Sequence, residues 1–280
     1  RTVSYLSLSL ILLRYTKLNY MYALFSAITI SYVLSYFYLN LQVKRVISQT
    51  LNTEFESFKL IKQQFLKYGI ALSLWFVVAY LLTLTDKMFM RHFVNAEMQG
   101  EYQAIFDLIS KSITIIISPV IISMFPILTA AYEKGNRVEI KKLLTRIIFL
   151  EALGCIAALL GFWWFGANIL FKIVQTPANL TFKWMGTLII LGTFFWQIAI
   201  VVQKKFELRY QSHRLLYMLL LAFLFQLGFY YFLKSNNSAL IFPLGYCLTT
   251  LIYLLLISFS EIVNALKIIF GNKSKMQVNL

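Results

Sequence analysis

The sequence predicts an all-α, polytopic membrane helix bundle, and three observations carry that expectation. Of the 280 residues, 60% are hydrophobic and 13% are charged, roughly half the charge of an average soluble domain. A soluble fold of that composition would lack a polar coat. Uncharged apolar runs of about the 20 residues a helix needs to cross hydrocarbon recur at Leu18–Val43, Tyr68–Thr85, Ser112–Tyr132, Ala152–Phe171, Trp184–Gln203, Leu215–Leu233 and Ser235–Ser260. Lys and Arg, finally, concentrate in alternate connections between these runs.

Taken in order, Thr2–Leu13 is a short apolar remnant that reads as half a span, and Leu18–Val43 is a full one. The chain opens on Arg1 within that half span, which predicts a preceding portion. Residues 1–39 are thus expected to close an N-terminal transmembrane lobe. Residues 40–67 form the longest polar segment, with Phe55, Phe58, Leu60 and Phe65 near helical spacing. This segment reads either as an amphipathic cytoplasmic helix at the interface or as a solvated connector. Six spans follow, at 68–86, 100–131, 144–166, 183–203, 214–233 and 238–259, so 68–259 is expected to be a six-helix lobe. Residues 260–280 are a tail. The whole is one six-helix lobe plus the last one or two helices of the lobe before it. Repeated lobes of this kind place a substrate path between the halves.

The formal net charge of +15 would fit nucleic acid, but its distribution argues for topology instead. With alternate loops assigned to alternate sides, one side collects seventeen basic residues, in clusters such as Lys134–Arg146 and Lys204–Arg214. The other collects seven: Arg14, Lys17, Lys87, Arg91, Lys172, Lys183 and Lys234. Basic residues mark the cytoplasmic side, which predicts a cytoplasmic C-terminus, membrane lipid as the default partner of the charge, and no nucleic acid. Trp163, Trp164, Trp184, Tyr230 and Tyr231 fall where the outer interface is expected. Cys155 and Cys247 both lie within spans, indicating neither a disulfide nor a metal site. His92 and His213 are expected on opposite sides of the membrane, and no nucleophile–base pair or metal-ligand cluster appears. Enzyme chemistry and a cofactor are therefore not expected.

One stretch resembles a known family. "LKYGIALSLWFVVAYLLTLTDKMFMRHFVNAEMQGEYQAIFDL" is similar to the start of the second half of bacterial polysaccharide-biosynthesis flippases. These belong to the multidrug/oligosaccharidyl-lipid/polysaccharide exporter superfamily. The features matched are Leu66-Lys67-Tyr68-Gly69, a span closing on Asp86-Lys87, and Gly100-Glu101-Tyr102 opening the next helix. That helix carries Pro126 and leads into Tyr132-Glu133-Lys134-Gly135-Asn136. Later, "FKWMGTLIILGTFFWQIAIVVQKKFELRYQSHRLL" looks like the family's tenth helix and "NSALIFPLGYCLTTLIYLLL" like its twelfth, although Ser238-Ala239 stands where Gly-Ala is usual. The resemblance covers residues 58–259.

The resemblance implies a transporter that flips an undecaprenyl-pyrophosphate-linked oligosaccharide across the bacterial inner membrane by alternating access. Lipid-linked oligosaccharide is then the substrate, with a polysaccharide polymerase and glycosyltransferases as functional partners. Cation-coupled drug efflux in the same superfamily is the alternative transporter, and a membrane polysaccharide polymerase the alternative from another class.

Against that background the intramembrane charges become candidates. Gln103, Asp107, Lys111, Thr114 and Ser118 form one helical stripe on an otherwise apolar helix, and a charge facing lipid costs a few kcal/mol or more. Lys111 is the candidate contact for the substrate's pyrophosphate, positioned by Asp107, with Gln103 and Arg91 as further substrate-binding candidates. The plainer alternatives are a snorkelling lysine or a structural ion pair. Asp86 and Lys87, with Arg91 and His92, read as a gate at the outer mouth or as solvated loop charges. Glu151 reads as a coupling acid or as an interfacial residue. Pro119, with Pro126, is a candidate hinge.

Overall fold

Asn95 and Asn136 each open a long apolar helix, and their side chains show why the helices start there. The Asn95 side-chain oxygen accepts a hydrogen bond from the Met98 amide at 2.7 Å. The Asn136 side chain accepts from the Glu139 amide at 3.1 Å and donates back to the Glu139 carboxylate at 2.9 Å, so one otherwise unpaired first-turn amide is satisfied in each helix. Glu97 and Glu139 add negative charge to the two first turns, where the helix dipole favours it. In this computed structural model, the described residues are 41, 55–175, 180–233 and 238–276.

The described residues are all-α, with no strand among them. The helices are α1 (Phe55–Phe93), α2 (Ala96–Glu133), α3 (Arg137–Gly161), α4 (Ala167–Val174), α5 (Leu180–Leu208), α6 (Ser212–Leu233) and α7 (Ile241–Met276). A five-residue π-helical turn, Phe162–Gly166, joins α3 to α4 without a break. Six spans result, at Tyr68–Phe93, Ala96–Glu133, Arg137–Val174, Leu180–Leu208, Ser212–Leu233 and Ile241–Phe259, with mean hydropathy from 1.8 to 2.2. The chain is thus a multi-pass membrane protein. It divides into two compact units, Arg1–Gln64 and Phe65–Leu280, and the described helices lie almost wholly in the second. The expected spans within 1–39 and the linker residues 42–54 lie outside the described residues.

The helices differ from the expected runs at their ends. The apolar run Tyr68–Thr85 stops short of Asp86, but α1 continues to Phe93, which brings Asp86 and Lys87 inside the helix. The second helix starts at Ala96 rather than at residue 100, because Asn95 supplies the cap. Pro119 and Pro126 both lie inside α2, which runs through them as one helix, and both are exposed.

α5 is the hub. Two thirds of its central window, 67%, is buried, against 17% for the α3–α4 span. It packs most extensively on α7 and also on α2 and α3. Close approach to α7 depends on Gly192: a Cβ there would sit 2.7 Å from the Tyr246 ring and 3.1 Å from the Cys247 Cα. Small residues allow membrane helices to approach in this way, where no aqueous hydrophobic force drives them together. Short connections reverse the chain between consecutive helices. As a result Tyr68, Lys134, Arg137, Lys204 and Ser212 belong to one end of the bundle, and Arg91, Glu97, Lys172 and Leu233 to the other. Ser212 ties that first end by donating to the Tyr68 carbonyl at 3.1 Å.

Candidate functional site

Asp86 sits two turns before the end of α1 and is 1% exposed. Its hydrogen-bond donors come from two other helices. Tyr102 of α2 donates to Asp86 Oδ2 at 3.2 Å. Gln226 and Tyr230, one turn apart on α6, both donate to Oδ1. Gln226 Nε2 also lies 3.1 Å from the Leu82 carbonyl, and Tyr230 Oη lies 3.0 Å from the Phe242 carbonyl of α7. Three donors thus converge on one carboxylate in an apolar surround, which is how a buried charge or polar group is tolerated. The clasp links α1, α2, α6 and α7. Gly245 makes room for it, since a Cβ at that position would stand 2.3 Å from Tyr230 Cε1.

This geometry corrects two expectations. Asp86 is not a solvated loop charge, because α1 extends past it and α6 covers it. Tyr230 is not an interfacial anchor: it is 1% exposed and its hydroxyl belongs to the clasp. Trp164 and Tyr231, at 86% and 62% exposure, do face outward. Trp163 bridges instead, its indole donating to the Thr187 hydroxyl at 3.0 Å while its ring meets Trp184 edge-on.

Lys87 follows Asp86 directly but points elsewhere. Its ammonium lies 3.5 Å from Asp107 Oδ1 and 5.5 Å from the centre of the Phe106 ring, a cation–π contact. Asp107 Oδ2 takes Lys111 at 3.2 Å. One carboxylate is therefore shared by two lysines from two helices, with a net charge of +1. Lys87 is nearly enclosed at 18% exposure, whereas Lys111 remains 71% exposed. Lys111 stands fifteen residues into α2, about 22 Å along it at 1.5 Å per residue. Gln103 is half-buried one turn before Asp107, and Thr114 accepts from the buried Gln197 of α5 at 3.0 Å. The stripe is thus bound to the bundle at Thr114 and open at Lys111. Arg91 is exposed in the last turn of α1, one turn after Lys87. Pro119 is on the exposed side of α2 and touches neither group.

Glu151 is 5% exposed, and both its carboxylate oxygens are buried without a hydrogen-bond partner among the described residues. It lies fourteen residues into α3, about 21 Å from the helix start, so the interfacial expectation is corrected. It borders a cavity of about 440 Å³ between α2, α3 and α5.

Toward the opposite end, a second polar chain runs through the bundle. Trp75 donates to Tyr253 at 2.8 Å, Tyr253 to Gln203 at 3.0 Å, Gln203 to Glu207 at 3.0 Å, and Lys204 to Glu207 at 2.7 Å. Trp196 stacks between Trp75 and Tyr253, with ring centres 5.7 and 5.6 Å away. Gln226 and Tyr253 were not singled out from sequence, Gln203 marked only the end of an apolar run, and Tyr102 and Tyr230 were named only in the helix-opening motif and as an interface aromatic. The available signal was the pair Gln226 and Tyr230, four residues apart in the apolar run Leu215–Leu233.

No family, curated relative or solved structure matches the chain. Among the described residues, no three His, Cys, Asp or Glu side chains converge to hold a metal ion.

Proposed function

We propose that this chain contributes to a membrane transporter that flips an undecaprenyl-pyrophosphate-linked oligosaccharide from the inner to the outer leaflet of the bacterial cytoplasmic membrane. The observation that carries the reading is the shared Asp107. It holds two lysines together yet leaves the Lys111 ammonium 71% exposed on a membrane-spanning helix. Ionisable residues at such depth are costly and mark substrate or ion pathways. A cluster with net positive charge suits a pyrophosphate, which needs a cation more than a shaped pocket. The sequence resemblance over 58–259 points to the same substrate class.

In this reading Lys111 meets the pyrophosphate, and Asp107 and Lys87 hold it in place. Arg91 and Gln103 extend the polar surface, the Asp86 clasp keeps α1 in register with α6, and the basic end faces the cytoplasm. The protein is a carrier that works beside glycosyltransferases and a polymerase.

The test uses the full-length protein in a strain deleted for it, reading undecaprenyl-linked oligosaccharide in the inner leaflet and polysaccharide at the surface. The parent and Lys111→Arg are expected to clear the lipid-linked intermediate, and Lys111→Ala to leave it accumulated. Full clearance by Lys111→Ala at equal expression would remove the substrate role of that lysine. Absence of any accumulation in the deletion strain would remove the flippase reading itself.

A further inference from the structure

We propose that a cleft between α1, α5 and α7 holds an uncharged sugar ring, the one bonded directly to the substrate's pyrophosphate; this rests on the flippase reading above. The cleft measures about 360 Å³, within the range of small-ligand pockets and ample for a pyranose. Trp75, Trp196, Ile200 and Tyr246 line it, together with Phe76, Tyr80 and Thr83 of α1.

Two relationships connect the cleft to the lysine cluster. Phe76, Tyr80, Thr83, Lys87 and Arg91 follow one another at steps of four, three, four and four, which places them on one face of α1. Seven residues take the helix from Tyr80 to Lys87, about 10 Å along its axis. A diphosphate joined to one ring reaches that far. Through the bundle, the Phe106 ring centre lies 5.5 Å from the Lys87 ammonium and 5.0 Å from the Tyr246 ring centre. A single aromatic side chain thus stands between the lysine and the cleft wall.

The chemistry of the wall selects the occupant. None of its described residues is acidic or basic, so a carboxylated sugar would lose water there without gaining a counter-charge. Phe76 and Tyr80 are 61% and 66% exposed and offer aromatic surface to the C–H side of a pyranose. The Thr83 hydroxyl donates to the Tyr80 carbonyl at 2.9 Å, which leaves its lone pairs to accept, while the exposed Tyr80 phenol can donate. A sugar hydroxyl uses both groups; a hydrocarbon chain uses neither.

Binding to the full-length protein in phosphatidylcholine nanodiscs is measured with farnesyl pyrophosphate and with the same lipid carrying one sugar. The sugars are glucose, galactose, their 2-acetamido forms, and glucuronic acid as the charged control. At least one neutral sugar is expected to tighten binding about tenfold over farnesyl pyrophosphate, and glucuronic acid to add nothing. Tyr80→Leu combined with Phe76→Leu keeps the face apolar and should abolish that gain. Its affinity for farnesyl pyrophosphate should be unchanged, which also reports an intact fold. Lys111→Ala should weaken every probe by a common factor. Equal binding of farnesyl pyrophosphate and all its neutral-sugar derivatives would overturn the sugar site and leave the pyrophosphate reading standing. A gain that survives in the double variant, or that glucuronic acid shares, would overturn it as well. Should farnesyl pyrophosphate itself not bind, the flippase reading loses its support and octyl glycosides of the same neutral sugars decide the cleft alone. Their binding, lost in the double variant, would uphold the sugar site; no binding would overturn it.

Discussion

Asp86 and Tyr230 lie 144 residues apart in sequence, and the Tyr230 hydroxyl donates to the Asp86 carboxylate inside the bundle. The contact joins α1 to α6, and the aromatic rings of Phe89 and Phe242 flank Tyr230 with centres 5.6 and 5.3 Å away. Removing that hydroxyl leaves the ring packing in place and deletes one of the three donors on a carboxylate that water does not reach. Tyr230→Phe is therefore expected to destabilise the protein by about 1–2 kcal/mol. That lies above the average interhelical hydrogen bond in membranes because the acceptor is a carboxylate. Tyr217→Phe, at a position 64% exposed, should stay within about 0.5 kcal/mol. Thermal unfolding in one detergent compares them, and equal shifts for the two would mean the clasp is not a stabilising contact.

Gly245 gives a second handle on the same contact. A methyl group at 245 would overlap the Tyr230 ring, so Gly245→Ala should cost about 1–3 kcal/mol. In a Tyr230→Leu background the overlap disappears, and the same substitution should cost at least about 0.5 kcal/mol less. A double-mutant cycle from unfolding curves reads the difference. Strict additivity would show that the crowding at Gly245 involves something other than Tyr230.

Asp107→Asn releases both lysines. Because the Lys111 end is exposed, its ion pair contributes under about 1 kcal/mol, and stability should change little. Export in the complementation assay should instead fall about tenfold, since two unrestrained ammonium groups replace one positioned cluster. Normal export with normal stability would make Asp107 a bystander.

Tyr253 lies in the middle of the second polar chain. Tyr253→Phe leaves the Trp75 indole without its acceptor and Gln203 Oε1 without its donor, both buried. The expected loss is about 1–3 kcal/mol, with a change in tryptophan fluorescence because Trp75 and Trp196 flank the site. An unaltered melting curve and spectrum would show that the chain of bonds is dispensable.

The six spans were legible because each is an apolar run of membrane length, a property local to the sequence. Their ends were less so: Asn95 sets the start of α2 through a side-chain bond to Met98, and a count of apolar residues does not register a cap. The Asp107–Lys111 pair was legible from its four-residue spacing, but the participation of Lys87 was not, since it comes from another helix. The burial of Asp86 was not legible at all. Nothing near residue 86 distinguishes a solvated helix end from a covered one, and what covers it is Gln226 and Tyr230. The same holds for Glu151, whose surroundings are set by Ile113 and Phe194 from two other helices. The π-helical turn at Phe162–Gly166 leaves no periodicity signal over five residues.

The Asp86 clasp also bears on how the protein is made. Helices enter the membrane in the order of synthesis, and Asp86 is delivered with α1, while Gln226 follows 140 residues later. At 5–20 residues per second, that interval lasts roughly 7 to 28 s. During it Tyr102 is the one donor of the three that has been synthesised, and a carboxyl group in lipid without its donors is costly. Until α6 arrives, the C-terminal end of α1 is thus the costliest part of that helix to leave in lipid, and the clasp rewards its seating only once the sixth helix is made.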